Sequence, residues 1–406
     1  MPKAPRKTPK PESDKPAKRS RGTKPPASAA TPPPGTPDLA ALRVKIDGID
    51  RKIVQLLNER ATHVVSVGAY KRANHIPIYA PHREAEVLGR VLALNEGPLP
   101  PRTIEAIYRE LMSGSFRLEH PLKIGFLGPA GTFSHVAAVR HFGSSVDFEN
   151  LHEIAGVFTE VVRGHVDYGL VPIENSLIGG ITETLDAFIQ HADRIHVYAE
   201  VQLAVHHALM ANCAPSRVKK IYSKPEVFSQ CRTWLATQYP QAELAPVASS
   251  SRAVQIVAEE SERYTKDGGT DGCPIAAIGN ALAGELYGVS ILFPRIEDNP
   301  NNITRFAVIS KTRAQRSGDD KTSMLFATKN TPGALVSVLT AFQRAKINLT
   351  HIDKRPGGRT NWQYTFFIDA QGHESDPAMV KAVEGARKHC QELHVLGSYP
   401  RSKRIL

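Results

Sequence analysis

Apolar residues at Leu39, Leu42, Ile46, Ile49, Ile53 and Leu56 recur in steps of three and four, the spacing of one face of an α-helix. This stripe predicts a long amphipathic helix over residues 38–72, roughly 50 Å at 1.5 Å per residue. Two further helical stretches follow, Pro81 to Glu96, closed by Asn95-Glu96-Gly97, and Pro101 to Glu119. Three helices in about 80 residues make too thin a core for so long a first helix. The long helix is therefore expected to pack against a second copy of the chain, in a homodimer or a higher homo-oligomer.

From Lys123 the period changes. Short apolar runs, "KIGFLG", "YGLVPI", "IHVYAEVQLAV", "KKIYS", "PIAAIG" and "TRFAVIS", alternate with helical stretches, the composition of an α/β domain. After the polar stretch "RAQRSGDDK", a predicted linker, the segments "SMLFAT", "GALVSVLTAFQRA", "LTHIDK", "WQYTFFIDA", "AMVKAVEGARKH" and "LHVLGSYP" follow. Their order is the βαββαβ of an α+β ferredoxin-like module. The expected domains are thus a tail over 1–37, a helical domain over 38–120, an α/β domain over 121–312, a linker over 313–321 and a small module over 322–404.

A formal charge of +11 would suggest nucleic acid, but residues 1–37 hold nine Lys or Arg and only two acids. The other 369 residues carry 42 basic and 38 acidic side chains, so the globular part needs no polyanionic partner. The tail has eleven prolines and almost no large apolar residue, too little to offset the entropy of ordering, and is expected to be disordered. No signal peptide or membrane span is evident, so a cytoplasmic protein is expected. Cys213, Cys231, Cys273 and Cys390 form neither a CxxC pair nor a zinc spacing, which points to reduced thiols and no metal site. No cofactor is expected.

Continued past Leu56, the helical stripe reaches Arg60, and Lys71, eleven residues on, lies roughly 20° away around the axis. Cations on a core-facing stripe require either an internal salt bridge or an anionic ligand. Arg43 lies roughly 100° off that face, so from the same helix it would not point into the same site, and in a dimer it could reach the partner's. Arg83 and Glu84 sit in the first turn of the second helix, and Ser115 and Glu119 extend the inner face of the third. Such a set suits a small dianion with a polar oxygen.

The stretches "LAALRVKIDGIDRKIVQLLNER", "GAYK" and "IPIYAPHREAEVL" resemble the all-helical chorismate mutases, a family built as an interlocked helical dimer. The resemblance implies that Arg60, Lys71 and Arg83 hold the carboxylates and ether oxygen of chorismate, with Arg43 supplied by the partner chain. It implies that Glu84 contacts the ring hydroxyl and that Ser115 and Glu119 complete the pocket. The family converts chorismate to prephenate by a pericyclic step, which needs only a compact conformer and positive charge at the ether oxygen. Many relatives have Asp where Ala80 stands, and Glu119 must be protonated to donate to an ether oxygen.

In the α/β region, "GFLGPAGTFSHVAA" reads as strand, glycine-rich turn and helix start, with Thr132 and Ser134 as candidate caps. "VPIENSLIGG" ends a strand with Glu174, Asn175 and Ser176. Ser223, Ser249 to Ser251, and Thr304-Arg305 repeat this placement of polar residues at strand ends and helix starts, which in open α/β sheets converge on one crevice. "GPAGTFS", "VPIENS", "YSKPEVFSQC", "AAIGNALAGELYG" and "NNITRF" together resemble prephenate dehydratase. The resemblance implies a two-lobed fold like that of periplasmic ligand-binding proteins, with the active site in the cleft. Prephenate loses its ring hydroxyl as water and its ring carboxylate as carbon dioxide. Thr304 is then the expected donor to the departing hydroxyl, directly or through water or Glu174, and Arg305 the carboxylate clamp. Asn175, Ser176, Thr132, Ser223, Ser249, Ser250 and Phe306 would line the cleft. Lys224 stands where relatives usually have His.

"TPGALVSVLTAFQRAKINLTHIDKRP" resembles the ACT domain that follows the dehydratase in such proteins and binds phenylalanine. Gly333, Ala334 and Leu335 match one signature. Asp353, Arg355 and Pro356 match the second, in which Lys354 replaces the usual Ser. The three regions, in this order, resemble the bifunctional chorismate mutase/prephenate dehydratases of phenylalanine biosynthesis, with phenylalanine as feedback effector. A dehydratase preferring arogenate, or a non-enzymatic amino-acid sensor, is the alternative.

Overall fold

The computed structural model describes residues 38–356 and 364–406. The predicted basic tail, and Trp362 and Gln363 of one predicted strand, lie outside them. By compactness the chain divides between Asn58 and Glu59.

Helices α1 (Leu39–Ala73), α2 (Pro81–Ala93) and α3 (Pro101–Glu119) come first. The stripe from Leu39 to Leu56 is exposed along its length. Helix α2 stops three residues short of the expected Glu96. Asn95 turns its side-chain amide to the Leu99 carbonyl at 2.9 Å, a local bond that competes with continued helix.

The α/β region has two sheets. The first lobe contains β1 (Lys123–Leu127), α4 (Phe133–Phe142), β2 (Asp147–Leu151), α5 (Ile154–Arg163), β3 (Tyr168–Asn175), β4 (Gly179–Gly180), α6 (Thr182–His191) and β5 (His196–Ala204). The second contains β6 (Ala208–Met210), β7 (Lys220–Ser223), α7 (Pro225–Gln230), α8 (Arg232–Gln238), β8 (Glu243–Pro246), α9 (Ser250–Lys266), β9 (Ile275–Gly279), α10 (Ala281–Tyr287) and β10 (Ile291–Phe293). The chain then returns to the first sheet as β11 (Ile303–Ser310). Strand orders are β2-β1-β3-β11-β5, with β4 on β3, and β10-β6-β9-β7-β8. The chain thus crosses between lobes twice, which matches the two-lobed fold expected. Strand β2 was not legible as a strand because "DFENL" has no apolar alternation and is mostly exposed.

The last module is β12 (Asp320–Ala327), α11 (Ala334–Arg344), β13 (Leu349–Pro356), β14 (Tyr364–Gln371), α12 (Pro377–Arg387) and β15 (Glu392–Pro400), with sheet order β13-β14-β12-β15. This is the ferredoxin-like arrangement. Beyond it the chain reaches back to the first lobe, where Leu406 exchanges backbone hydrogen bonds with Gln202 and Ala204.

The helical and α/β regions share a core. Tyr79, before α2, is fully buried with Phe116, Phe142 and Tyr168. Its hydroxyl lies 2.6 Å from His141 Nε2. Burial, then Arg109 and Arg404, push His141 down to about 3, so the imidazole that meets this hydroxyl is neutral. Among the described residues no helix is long and apolar enough to cross a membrane.

Candidate active sites

In the helical region the structure brings four of the predicted residues together. Arg60 Nη1 donates to Ser115 Oγ at 2.8 Å, and Lys71 Nζ donates to Glu119 Oε2 at 2.7 Å and to the Ile78 carbonyl at 2.9 Å. The buried Gly68 makes this approach of α1 to α3 possible: an added Cβ would stand 2.8 Å from Glu119 Cα. Two cations thus face one carboxylate and one hydroxyl. The excess positive charge suits an anion with an ether oxygen.

Arg83 and Glu84 are not gathered with these four. Successive α2 residues point about 100° apart, and the face carrying Pro81, Glu84, Ala85 and Leu88 lines another cavity, of about 180 Å3, with Arg109, Met112 and His141. Arg83 is exposed and pairs with Glu86 at 2.8 Å. Burial raises the Glu84 carboxyl to about 8 against the pull of Arg109, so it is protonated at neutral pH. Ala80, the residue before α2, provides no side-chain cap. Arg43 belongs to the unit before Glu59.

In the α/β region, Thr304 and Asn175 are cross-strand neighbours on β11 and β3. Asn175 Nδ2 donates to Thr304 Oγ1 at 2.9 Å and to Asn302 Oδ1 at 2.8 Å. Ser176 ties the same turn to the "NNIT" loop, with its Oγ accepting from the Ile303 N–H at 2.9 Å. Sequence reasoning did not single out Asn302, Gln230 or His207. Asn302 Nδ2 reaches Gln230 Oε1 at 3.3 Å, and the same oxygen lies 2.7 Å from His207 Nε2. Only the motif stretches containing Asn302 and Gln230 hinted at this row. His207, at the crossing between lobes, carried no signal.

The glycine-rich turn spans the lobes. Asn280 Nδ2 donates to the Gly131 carbonyl at 2.7 Å, Tyr287 to the Ala130 carbonyl at 3.1 Å, and Ser251 to the same carbonyl. Thr132 and Ser249 cap α4 and α9, accepting from the N–H groups of His135 and Arg252, and Ser250 opens α9. Two cleft expectations are corrected. Ser223 is fully buried and its hydroxyl is committed to the Ile278 carbonyl at 2.8 Å. Phe306 is core, 1 % exposed. Lys224 precedes α7 and pairs with Glu226 at 3.4 Å.

The largest correction concerns Arg305 and Glu174. Side chains alternate along a strand, so Arg305 points away from Thr304, and Glu174 away from Asn175. Arg305 Nη1 contacts Glu174 at 2.6 Å, while Nη2 contacts Glu200 of β5 at 3.0 Å and Asp369 of β14 at 2.6 Å. Both terminal nitrogens meet protein carboxylates, and the buried Nε has no hydrogen-bond partner among the described residues, so the Nη1/Nη2 fork is held by the protein rather than presented beside Thr304. Burial would lower the guanidinium pKa, but Asp369 and Glu200 raise it. Burial would likewise raise Asp369, yet Lys321 and Arg305 hold it at about 2. Glu174 also faces His351 of β13 at 3.6 Å.

In the last module, Gly333 precedes α11 with φ 81°, and Ala334 opens the helix. Leu335 packs on the module's core. Arg355 forms two hydrogen bonds to Asp186 of α6, at 2.9 and 2.7 Å, and Asp353 lies over Gly180, where an added Cβ would collide with its carboxylate. Pro356, at the end of β13, is exposed. Strand β13 therefore rests directly on the β3-β4 turn that carries Asn175.

Comparison with known proteins agrees with this architecture. Residues 42–120 match Chorismate mutase type II, residues 124–314 Prephenate dehydratase and residues 323–387 the ACT domain. The bifunctional chorismate mutase/prephenate dehydratase of Stutzerimonas stutzeri is 40 % identical over 371 residues, covering 90 % of this chain and 98 % of that protein. Its counterpart from Pseudomonas aeruginosa is 38 % identical with the same coverage. Among solved structures, the prephenate dehydratase of Arthrobacter aurescens in complex with L-Phe superposes with a TM-score of 0.62 at 29 % identity, covering 70 % of this chain and 92 % of that one. With its three domains in order, the chain belongs to the bifunctional chorismate mutase/prephenate dehydratase family and is an enzyme with both activities.

Proposed function

We propose that the two centres act in series, with the mutase site over 38–120 and the dehydratase cleft over 121–312. In the first, Arg60 and Lys71 hold the carboxylate and ether oxygen of chorismate, and Ser115 and Glu119 complete the contact. The rearrangement transfers no proton, so rate comes from holding the compact conformer and from positive charge at the oxygen whose bond breaks. Substrate would displace Glu119 from Lys71, turning an internal ion pair into a substrate contact. Arg43 of a second chain, and Arg83 after a change of rotamer, would add cations. The exposed apolar stripe of α1 supports a homodimer at least, in which a second copy covers it.

In the second centre, the carboxylate-bearing bond of prephenate breaks, its electron pair becomes the last ring double bond, and the hydroxyl leaves as water with a donated proton. Thr304 is the group we assign to the leaving hydroxyl. The observation that carries this is the bond from Asn175 Nδ2 to Thr304 Oγ1: a hydroxyl that accepts from a fixed amide is free to donate outward. With Arg305 turned away, the substrate carboxylates are assigned to the first turns of α4 and α9, whose N–H groups beyond those capped by Thr132 and Ser249 suit anions. Supplying chorismate alone and identifying the products tests both centres together.

L-phenylalanine is assigned to the module expected over 322–404, whose first strand starts two residues earlier, at Asp320, so that the expected 313–321 linker ends before it. The amino acid would contact Gly333, Ala334 and Leu335 and the strand carrying Asp353, Arg355 and Pro356. The contact of Arg355 with Asp186 gives that strand a route to the cleft. A cytoplasmic location fits a biosynthetic enzyme and is tested by cell fractionation.

A further inference from the structure

We propose that Asp369, on the sensor module, is a positioning residue for the dehydratase step, acting through Arg305 on Thr304. The inference rests on the reading of Thr304 given above. Thr304 and Arg305 are adjacent on β11, so any displacement of the Arg305 backbone is passed to the Thr304 hydroxyl. The β11-β3 register shifts between Arg305 and Phe306 while the ladder to β5 runs through both residues, so on the β3 side the backbone alone does not hold Thr304 and Arg305 in place.

Side chains take over at that point. Through Glu174, Glu200 and Asp369, the Arg305 guanidinium ties together β3, β5 and β14. Two of these carboxylates belong to the dehydratase sheet. The third is contributed by the other domain and is itself fixed: Ser323 Oγ donates to Asp369 Oδ1 at 2.5 Å and lies 2.6 Å from the Tyr399 hydroxyl. Lys321 Nζ adds a contact to Asp369 at 3.4 Å and one to Glu200. Asp369 and Glu200 are nearly excluded from water, with side chains 7 % and 2 % exposed. Water therefore does not readily replace either carboxylate, and buried charge networks respond strongly to loss of one member.

The sensor module accordingly helps to position the dehydratase site even with no effector bound. Steady-state kinetics of the full-length chain on prephenate and on chorismate test this with Asp369→Asn, Asp369→Glu, Arg305→Gln, the Asp369→Asn/Arg305→Gln double variant and Thr304→Val. The expected result for Asp369→Asn is a fall in dehydratase kcat of about tenfold or more, since small misplacements of reacting groups are costly, with KM and mutase kcat within about twofold. Asp369→Glu restores most of the rate, and the double variant is no worse than Arg305→Gln alone, because both act through one contact. If Asp369→Asn does not fold, Ser323→Ala, which removes one of the donors to the carboxylate and leaves Lys321 in place, should lower kcat about fivefold. Dehydratase kcat within twofold of wild type in Asp369→Asn, or in Ser323→Ala should it replace that variant, overturns the proposal, as does additivity of Asp369→Asn and Arg305→Gln. Full dehydratase activity in Thr304→Val would instead refute the reading of Thr304.

Discussion

Asn175 Nδ2 donates to Thr304 Oγ1 at 2.9 Å, while Asn175 Oδ1 accepts from the Leu177 backbone N–H at 3.0 Å. The backbone contact fixes which end of the amide faces the hydroxyl, and so makes Thr304 the acceptor in that bond, with its own proton left for another partner. Asn175→Asp would reverse that polarity, because a carboxylate would take the threonine proton for itself. Dehydratase kcat in Asn175→Asp should fall about a hundredfold or more, with mutase activity retained. Near-normal dehydratase turnover would count against a donating Thr304.

Glu119 meets Lys71 at 2.7 Å and as a carboxylate it can only accept, whereas an amide in its place can donate to an ether oxygen. Glu119→Gln should therefore keep or raise mutase kcat at saturating chorismate, and Glu119→Ala should lower it about tenfold or more. Wild-type kcat in Glu119→Ala contradicts the assignment.

Stability carries a separate pH signature from Glu84. Its carboxyl is raised from 4.5 to about 8, so between those values the folded chain holds a proton that the unfolded chain has released. Stability due to this group is then lost as pH rises through that window. Glu84→Gln keeps the neutral form throughout, so its Tm relative to wild type should increase between about pH 5 and about pH 8. A gap that is constant with pH, read by calorimetry, would exclude a partly buried, protonated Glu84.

Millimolar L-phenylalanine should lower the dehydratase rate and leave Arg60-dependent mutase chemistry less affected. Gly333 has φ 81°, a conformation that costs a residue with a Cβ about 1 kcal/mol. Gly333→Ala should therefore weaken inhibition while sparing uninhibited turnover. An unchanged dehydratase rate together with no binding heat in wild type would remove phenylalanine as effector.

The sequence revealed the elements whose period or motif was strong: the α1 stripe, the βαββαβ order, and "NNITRF". It did not reveal the face each residue serves. Thr304 and Arg305 sit side by side in one motif, and strand alternation sends them to opposite sides, one to Asn175 and the other to Asp369. That separation depends on β5 and β14 supplying carboxylates from 105 and 64 residues away, a relation no local pattern encodes. Ser223 was misread for a similar reason, since its strand end is covered by β9. Arg60 with Lys71, and Ser115 with Glu119, were legible because helical spacing puts each pair on one face of its own helix; the approach of α1 to α3 at Gly68 then joins the two faces.

The most direct test supplies purified protein with chorismate alone and follows the products over time, with Arg60→Ala and Thr304→Val in parallel. The account predicts phenylpyruvate from wild type, unreacted chorismate from Arg60→Ala, and accumulating prephenate from Thr304→Val. Prephenate accumulating in wild type, or phenylpyruvate formed at the wild-type rate by Thr304→Val, would contradict it.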